Sequence, residues 1–502
     1  MKKTALIILC ITLISKILGF GREVILSYFY GASPISDAYF VAVTVPAILL
    51  EFLGIAIATS YIPMMSRISH EEGMESAQRY TVNLINHVLL FVMIVFVLAE
   101  LLAPFIVKLL AVGFEGDLLE ITVKFSRVML SSIFVLGLLN IFGGYLQLQG
   151  NYLIPAMMGL PLNIITILSI YLAARSNDHV LIIGTALAQF SQMFFMLPWV
   201  WKSGLKYRRS LDLKDERIRA TIWIALPVIL GASVNQINLL VDKTIASTIV
   251  VGGISALNYA GKLNLFIQGV FVVSITTVLF PRIAKMAEEK NIQGIREGIS
   301  ESFAMIDLLV IPITIGALIF SKEIVAVLFG RGAFDENALL LTSSALFFYS
   351  IGMIGFGYRE VLSKAFYSMH DTKTPVVNAT IGVGINIILN LVLSRFMGLG
   401  GLALATSISA LVTAALMMGS LRKKLGKLDI WSIDVAKILL ASVVMGGCAK
   451  MTFDLLSVGG GMFSSLVLAV LCGVVVYVIL GLLLKIEEAV KLKNIVVARL
   501  KR

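Results

Sequence analysis

Apolar residues run through this chain in long stretches, broken by short polar ones. Windows of about 20 apolar residues, the length that crosses a bilayer core, fall near 5–30, 38–65, 82–110, 124–148, 154–174, 180–201, 220–249, 256–283, 300–328, 338–366, 376–396, 400–421, 434–456 and 462–485. The pattern predicts an all-α polytopic membrane protein with about fourteen transmembrane helices. Spans this long and uniform exclude a transmembrane barrel, whose strands alternate over about ten residues. The first stretch is too long for the apolar part of a signal peptide, and no A-x-A-like site follows it. It reads as a retained helix.

The polar connections alternate in sign. One set carries Lys2 and Lys3; Arg67 and Arg79; Lys202, Lys206, Arg208, Arg209, Lys214, Arg217 and Arg219; Arg282, Lys285, Lys290 and Arg296; Lys364 and Lys373; Arg422, Lys423, Lys424 and Lys427; and the tail from Lys491 to Arg502. The other set is poor in bases: Glu115, Asp117 and Glu120; Asp178; Asp335 and Glu336; Asp454. Bases mark the cytoplasmic side, so both termini are expected inside, which an even number of spans satisfies. Residues 202–219 and the tail, with Ile486, Val490, Val497 and Leu500 on one helical face, read as interfacial helices on anionic lipid. A solvated linker and a solvated tail are the alternative.

An internal repeat organises the spans. Pro63 and Pro281 lie 218 residues apart, as do Ile106-Val107 and Ile324-Val325; Pro155 and Pro375 are 220 apart, and two Ala-Leu-Ala triplets, 186–188 and 403–405, are 217 apart. Each repeat holds six helices, an even number, so the halves enter the membrane in the same direction as parallel repeats. The expected organisation is an N-terminal lobe (1–206), an amphipathic cytoplasmic linker (207–219), a C-terminal lobe (220–425), two added helices (426–485) and a basic cytoplasmic tail (486–502). Two lobes around a central cavity meet the mechanical requirement of alternating access.

Composition sharpens this picture. The 502 residues are 58% hydrophobic and 14% charged, with a net charge of +11, too few charges for a soluble domain and too apolar for a disordered one. Three cysteines, Cys10, Cys448 and Cys472, all sit in apolar runs, which leaves no disulfide framework or zinc spacing. His70, His87, His179 and His370 are scattered, and no nucleotide-binding G-x-x-x-x-G-K-[ST] loop occurs. The chain is therefore not expected to be an enzyme or to bind nucleic acid.

A few charges lie inside the spans, where each costs about 2.5–3.5 kcal/mol on the insertion scale. They are Lys16, Arg22 and Glu23 in the first helix, Asp37 and Glu51 in the second, Asp242 and Lys243 in the seventh, and Lys262 in the eighth. Arg359 and Glu360, nearer the inner end of the tenth, read as end charges. By the repeat, first and second helices correspond to seventh and eighth, so these side chains are expected to line a basic cavity between the halves. Internal ion pairing is the other reading for Lys16 with Glu23 and for Asp242 with Lys243. Guanidinium and ammonium groups in a dry cavity suit a phosphate or diphosphate.

Two segments carry a family resemblance. SKILGFGREVILSYFYGASPISDAYFVAVTVP (15–46) and AFYSMHDTKTPV (365–376) resemble the MurJ/MviN family of bacterial lipid II flippases, within the multidrug/oligosaccharidyl-lipid/polysaccharide exporter superfamily. The resemblance implies a multi-pass protein of the bacterial cytoplasmic membrane. Such a protein moves an undecaprenyl-pyrophosphate-linked peptidoglycan precursor to the outer leaflet, and its last two helices form a groove for the lipid tail. Its substrate-binding residues fall on Lys16, Arg22, Glu23, Asp37 and Lys262, with Glu51 added from its place in the second helix. Lys16 and Lys262 stand where many members have Arg, and Leu50 and Glu51 stand in place of an arginine pair. A sodium site of some members would fall on Asp242, Asn386, Asn390 and Thr406, with helix–helix hydrogen bonding as the other reading. Implied besides are no bound cofactor, sodium or the membrane potential as energy source, a lipid-linked glycan pyrophosphate and membrane lipids as ligands, cell-wall synthesis proteins as partners, and a monomer. An exporter of another polyprenyl-linked glycan, a drug exporter and a membrane glycosyltransferase are the competing functions. The basic cavity argues against the drug exporter, and the lack of paired surface carboxylates or histidines against the transferase.

Overall fold

The computed structural model describes residues 2–207, 211–212, 214–426, 433–459 and 461–500. Among them every regular element is an α-helix: α1 (Lys2–Tyr30), α2 (Pro34–Glu71), α3 (Met74–Leu101), α4 (Ala103–Leu110), α5 (Gly116–Leu130), α6 (Ile133–Leu148), α7 (Leu153–Met157), α8 (Gly159–Ala173), α9 (Asp178–Lys202), α10 (Glu216–Ile249), α11 (Gly253–Glu288), α12 (Ile292–Ile319), α13 (Ser321–Leu328), α14 (Glu336–Ile351), α15 (Met353–Ser368), α16 (Lys373–Leu425), α17 (Ile433–Ser457), α18 (Met462–Leu483) and α19 (Glu487–Leu500). The all-α expectation holds. Ten helical stretches among the described residues are long and apolar enough to cross a membrane, and α14 with α15, bent by 48°, makes an eleventh. Helices α1 and α10 are not among them, so fewer than the expected fourteen spans meet that measure.

Local chemistry sets the helix starts. Ser33 and Ser36 form a reciprocal capping box with Pro34 in the first turn of α2, a position where its missing N–H costs nothing. Asn291 caps α12 through Gly294 N (2.8 Å), and Asp335 caps α14 through Ala338 N (2.7 Å). One break comes from backbone conformation. Gly398, at φ 54° and ψ −132°, interrupts α16 in a region that an L side chain avoids. Beyond it the chain doubles back: Asn378 donates to Ser420 Oγ (3.2 Å) and Ser409 to Gly382 O (2.6 Å). Helix α16 is thus an antiparallel hairpin whose limbs match the windows 376–396 and 400–421.

Two compact units result. The first comprises residues 1–255 with 331–334, and the second 256–330 with 335–502. Helix α10 belongs by contact to the first unit, although the repeat read from the sequence assigns it to the second half. The first unit packs α2 against α5, α6 and α10, and α8 against α1 and α9. In the second, Phe303, Ile306, Val310, Met353, Leu362 and Phe366 build a core between α12, α15 and the end of α16. Helices α17 and α18 pair with each other and pack on α12 and α13 through Phe320, Phe453 and Leu466. Lipid supplies no hydrophobic drive between helices, so close fit and polar ties must hold them. Buried hydroxyls such as Thr44, Ser169 and Thr185 satisfy themselves on the carbonyl four residues back.

The described residues of the 202–219 stretch form no helix of their own. Helix α9 ends at Lys202, α10 begins at Glu216, and the described residues between them are not helical. Asn83 of α3 explains why. It accepts from Asp212 N (2.9 Å) and donates to Asp212 O (3.3 Å) and Asp215 Oδ2 (3.1 Å), taking backbone groups a helix would need. Asp215 in turn caps α10 through Arg217 N (2.9 Å). The tail does form a helix, α19, anchored by Ile486, which is buried against Leu308, Ile311 and Ile438. Arg208, Arg209, Leu213, Lys427, Lys501 and Arg502 lie outside the described residues, as do the side chains of Lys2, Lys3, Val497 and Leu500.

Candidate functional site

In the first unit, Arg22 emerges from α1 half-buried. Its Nη2 donates to Glu23 Oε1 (2.7 Å) and its Nη1 to Asn163 Oδ1 of α8 (3.3 Å). Asn163 is itself fixed, donating through Nδ2 to Ser15 O (3.2 Å). Gly19 packs beside it, and a Cβ there would lie in ordinary contact with the Asn163 amide at 3.6 Å. Glu23 is buried, and its Oε2 has no hydrogen-bond partner. Among the described residues two of the five guanidinium N–H donors are thus used, and the rest of the fork can serve an anion. Lys16 sits on the same helix, exposed.

Asp37 takes a different place. It is 0% exposed, and its carboxylate accepts from Gly252 N (2.7 Å), Ser255 N (2.8 Å) and Ser255 Oγ (2.5 Å). Ser255 Oγ also lies 2.8 Å from Ser36 Oγ. These amides open α11, and the first turn of a helix has no internal acceptors for them. Asp37 is therefore the cap of that turn. It stands 218 residues before Ser255, the offset of the sequence repeat, so equivalent positions of the two repeats meet each other here.

Two further contacts are related to each other by the repeat. A Cβ on Gly113 would lie 2.0 Å from Ser247 O, and one on Gly332 2.2 Å from Tyr28 O. Gly113 N donates to Ser247 Oγ (3.0 Å), and Ala333 N to Tyr28 O (2.8 Å). Both glycines, and both helix ends they touch, stand 219 residues apart. Each loop clasps the end of the helix that corresponds to its partner's, with no room for a side chain.

The remaining expected residues are spread out. Glu51 is exposed and accepts from Gln236 Nε2 (2.9 Å). Asn238 Nδ2 lies 3.4 Å from Asp242 Oδ2, and buried Lys243 reaches Phe40 O (3.4 Å). In the second unit Lys262 is half-buried on α11. Asn386, Asn390 and Thr406 do come together across the α16 hairpin: Asn390 Nδ2 donates to Asn386 Oδ1 (2.9 Å) and Asn386 Nδ2 to Thr406 Oγ1 (3.3 Å). That chain ties the two limbs and supplies neutral oxygens only. Among the described residues no three His, Cys, Asp or Glu cluster as a metal site.

The second unit also holds an apolar groove of about 780 Å³ between α12, α17 and α18. Small residues, among them Gly316, Gly446, Ala449 and Gly473, hollow it out, and Lys493 stands at its rim. Pro312 shapes one wall. It cannot donate to Leu308 O, and Tyr477 Oη of α18 serves that carbonyl instead (2.7 Å).

Asn163, Ser255, Pro312 and Tyr477 were not among the residues expected from the sequence. Asn163 was visible as an amide within an apolar run. The others carry no charge to mark them.

Known proteins resemble the chain over nearly its whole length. The family model described as lipid II flippase MurJ matches residues 26–471. The probable lipid II flippase MurJ of Vibrio cholerae is 28% identical over 470 residues, covering 90% of this chain and 89% of that one. A solved lipid II flippase MurJ, in an inward closed conformation, superposes with a TM-score of 0.83 at 26% identity, over 95% of this chain and 98% of that one. An inward-facing multidrug resistance transporter of the MATE family gives a TM-score of 0.70 at 15% identity, covering 85% and 99%, a likeness of fold alone.

Proposed function

This chain belongs to the MurJ family, and on that premise we propose that it moves lipid II, a polyprenyl-pyrophosphate-linked peptidoglycan precursor, from the inner to the outer leaflet of the bacterial cytoplasmic membrane. The observation that carries the reading is Arg22: a guanidinium held by Glu23 and Asn163 inside an apolar bundle, with N–H donors left over. A diphosphate crossing hydrocarbon loses its water, at a cost of several kcal/mol per charge. A pre-oriented fork replaces part of that hydration without reorganising. Glu23 keeps the fork in place and Asn163 fixes its second arm. Lys16 and Lys262 add charge without a fork. The groove along α17 and α18 suits the polyprenyl tail, which then stays in an apolar setting while the head group moves.

Alternating access follows from the parallel repeats, with both termini cytoplasmic. The glycine clasp lies beside the base-poor connections Glu115–Asp117 and Asp335–Glu336, which the sign of the loops assigns to the outer side. Release to the outer leaflet then requires Gly113 to leave Ser247 and Asp37 to leave Ser255. The protein acts as a monomer, with sodium or the membrane potential as driving force; flipping that survives both sodium removal and collapse of the potential would dismiss that part.

The test is complementation of a flippase-deficient strain, with lipid II scored on each leaflet. The parent should restore outer-leaflet lipid II. Arg22→Ala should insert normally and lower flipping by more than about tenfold, with Arg22→Lys in between, because charge without the fork recovers only part of the binding. Normal exchange by Arg22→Ala would sink the cavity reading. Accumulation of a different polyprenyl-linked glycan would transfer the function to that substrate.

A further inference from the structure

Helix α12 carries a carboxylate deep in its apolar run that the flipping mechanism leaves unused. Asp307 is 0% exposed. Its Oδ1 accepts from Tyr358 Oη of α15 at 2.5 Å, while its Oδ2 is buried and meets no hydrogen-bond partner. The charged and titratable groups on the surrounding elements do not compensate it. Helix α19 brings Glu488, another anion, which bears on Asp307 and has Lys491 4.0 Å away. Helix α18 brings Tyr477, whose hydroxyl is committed to Leu308 O. On α17, Lys437 is paired with Asp434 and Lys450 with Glu323 of α13. Helix α14 offers only Glu336 and Tyr349. Arg359, next to Tyr358 on α15, lies over the Phe356 ring, and Glu360 pairs with Lys364. Among the described residues no lysine or arginine forms an ion pair with Asp307.

A bare carboxylate here would have one oxygen without a donor, a single hydroxyl partner and an anion for a neighbour. A neutral acid has no charge to compensate and lacks only an acceptor for its own O–H. We infer that Asp307 and Tyr358 form a proton-binding site: in this conformation Asp307 is a neutral carboxylic acid with its proton on Oδ2, taken up from water. The surrounding helix explains how the proton leaves. Pro312 removes a rung of the α12 ladder, and at this level Tyr477 serves the freed carbonyl of Leu308 while Tyr358 holds the Asp307 side chain. Release of the proton sets the Asp307 and Glu488 carboxylates against each other and loosens α19 from α12. The site is a protonation point linking the groove wall to the docking of the tail.

The full-length protein in liposomes, followed by infrared difference spectroscopy across a pH series, tests this without any lipid substrate, so it stands or falls apart from the flippase reading. The parent should show a protonated-carboxyl stretch at neutral pH. Asp307→Asn should lose it, and Tyr358→Phe, which removes only the hydroxyl on Oδ1, should shift it. An undiminished band in Asp307→Asn overturns the site, as does an unmoved band in Tyr358→Phe, which decides the matter if the first variant does not fold. Trypsin cleavage within α19 should accelerate with rising pH in the parent and less so in Asp307→Asn; equal responses overturn the link to the tail.

Discussion

Asp37 in the first unit and Asp307 in the second are both 0% exposed, yet their surroundings are opposite. Asp37 receives three donors on two oxygens. Asp307 receives one. Position along the helix accounts for the difference. Asp37 faces the opening turn of α11, where amide N–H groups have no partner within their own helix. Asp307 sits mid-helix, where every nearby amide is already engaged in the ladder, and only another side chain can serve it. An unmade buried hydrogen bond costs about 1–3 kcal/mol, while an uncompensated buried charge costs several more. The supply of donors, not depth, makes one aspartate a structural cap and the other a place for a proton.

The most damaging test of this contrast is the same substitution at both sites. Asp37→Asn leaves one acceptor oxygen and an amide N–H₂ facing three donors, and should cost about 2–4 kcal/mol as read from the unfolding midpoint in detergent. Next comes the clasp around it. Gly332 has φ 66° and a Cβ there would lie 2.2 Å from Tyr28 O, so Gly332→Ala should cost about 1–3 kcal/mol. Smaller is Asp307→Asn, which copies the shape of a neutral acid and should cost under about 1 kcal/mol. If it destabilises as much as Asp37→Asn, the contrast collapses.

The smallest effect belongs to a third aspartate, outside the spans. Burial opposes ionisation of Asp371, but Lys424 and Thr374 outweigh it and hold its carboxyl down at about 2, from an ordinary value of 3.8. Its folded-state value is depressed, so the stabilisation is fully present above the ordinary carboxylate range and fades as pH falls through about 2. Asp371→Asn should lose about 0.2–1 kcal/mol at neutral pH, and its acid-unfolding curve should converge with the parent's below that point.

Much of this was legible in the sequence for one physical reason. Hydrocarbon tolerates few charges, so apolar runs marked the helices, and rare charges such as Arg22 and Glu23 stood out against them. The repeat offset was legible as well, and it recurs in the contact of Asp37 with Ser255 and between the Gly113–Ser247 and Gly332–Tyr28 contacts. The motif at 365–376 also has a physical content: Asp371 accepts from Thr374 N (3.0 Å) and pairs with Lys424, closing the open end of the α16 hairpin.

Partner identity was not legible. Asn163 as the second support of Arg22, Tyr477 as the donor to the carbonyl freed by Pro312, and Tyr358 as the donor to Asp307 are all contacts between residues far apart in the chain. None of these partners is charged, so none disturbs the apolar pattern. A sequence read in a membrane setting therefore determines which segments are helices and which residues are costly to bury. Only the packing of those helices decides which costs are offset by donors, as at Asp37, and which are left standing, as at Asp307, because hydrogen bonds depend on distances that periodicity along one helix does not encode.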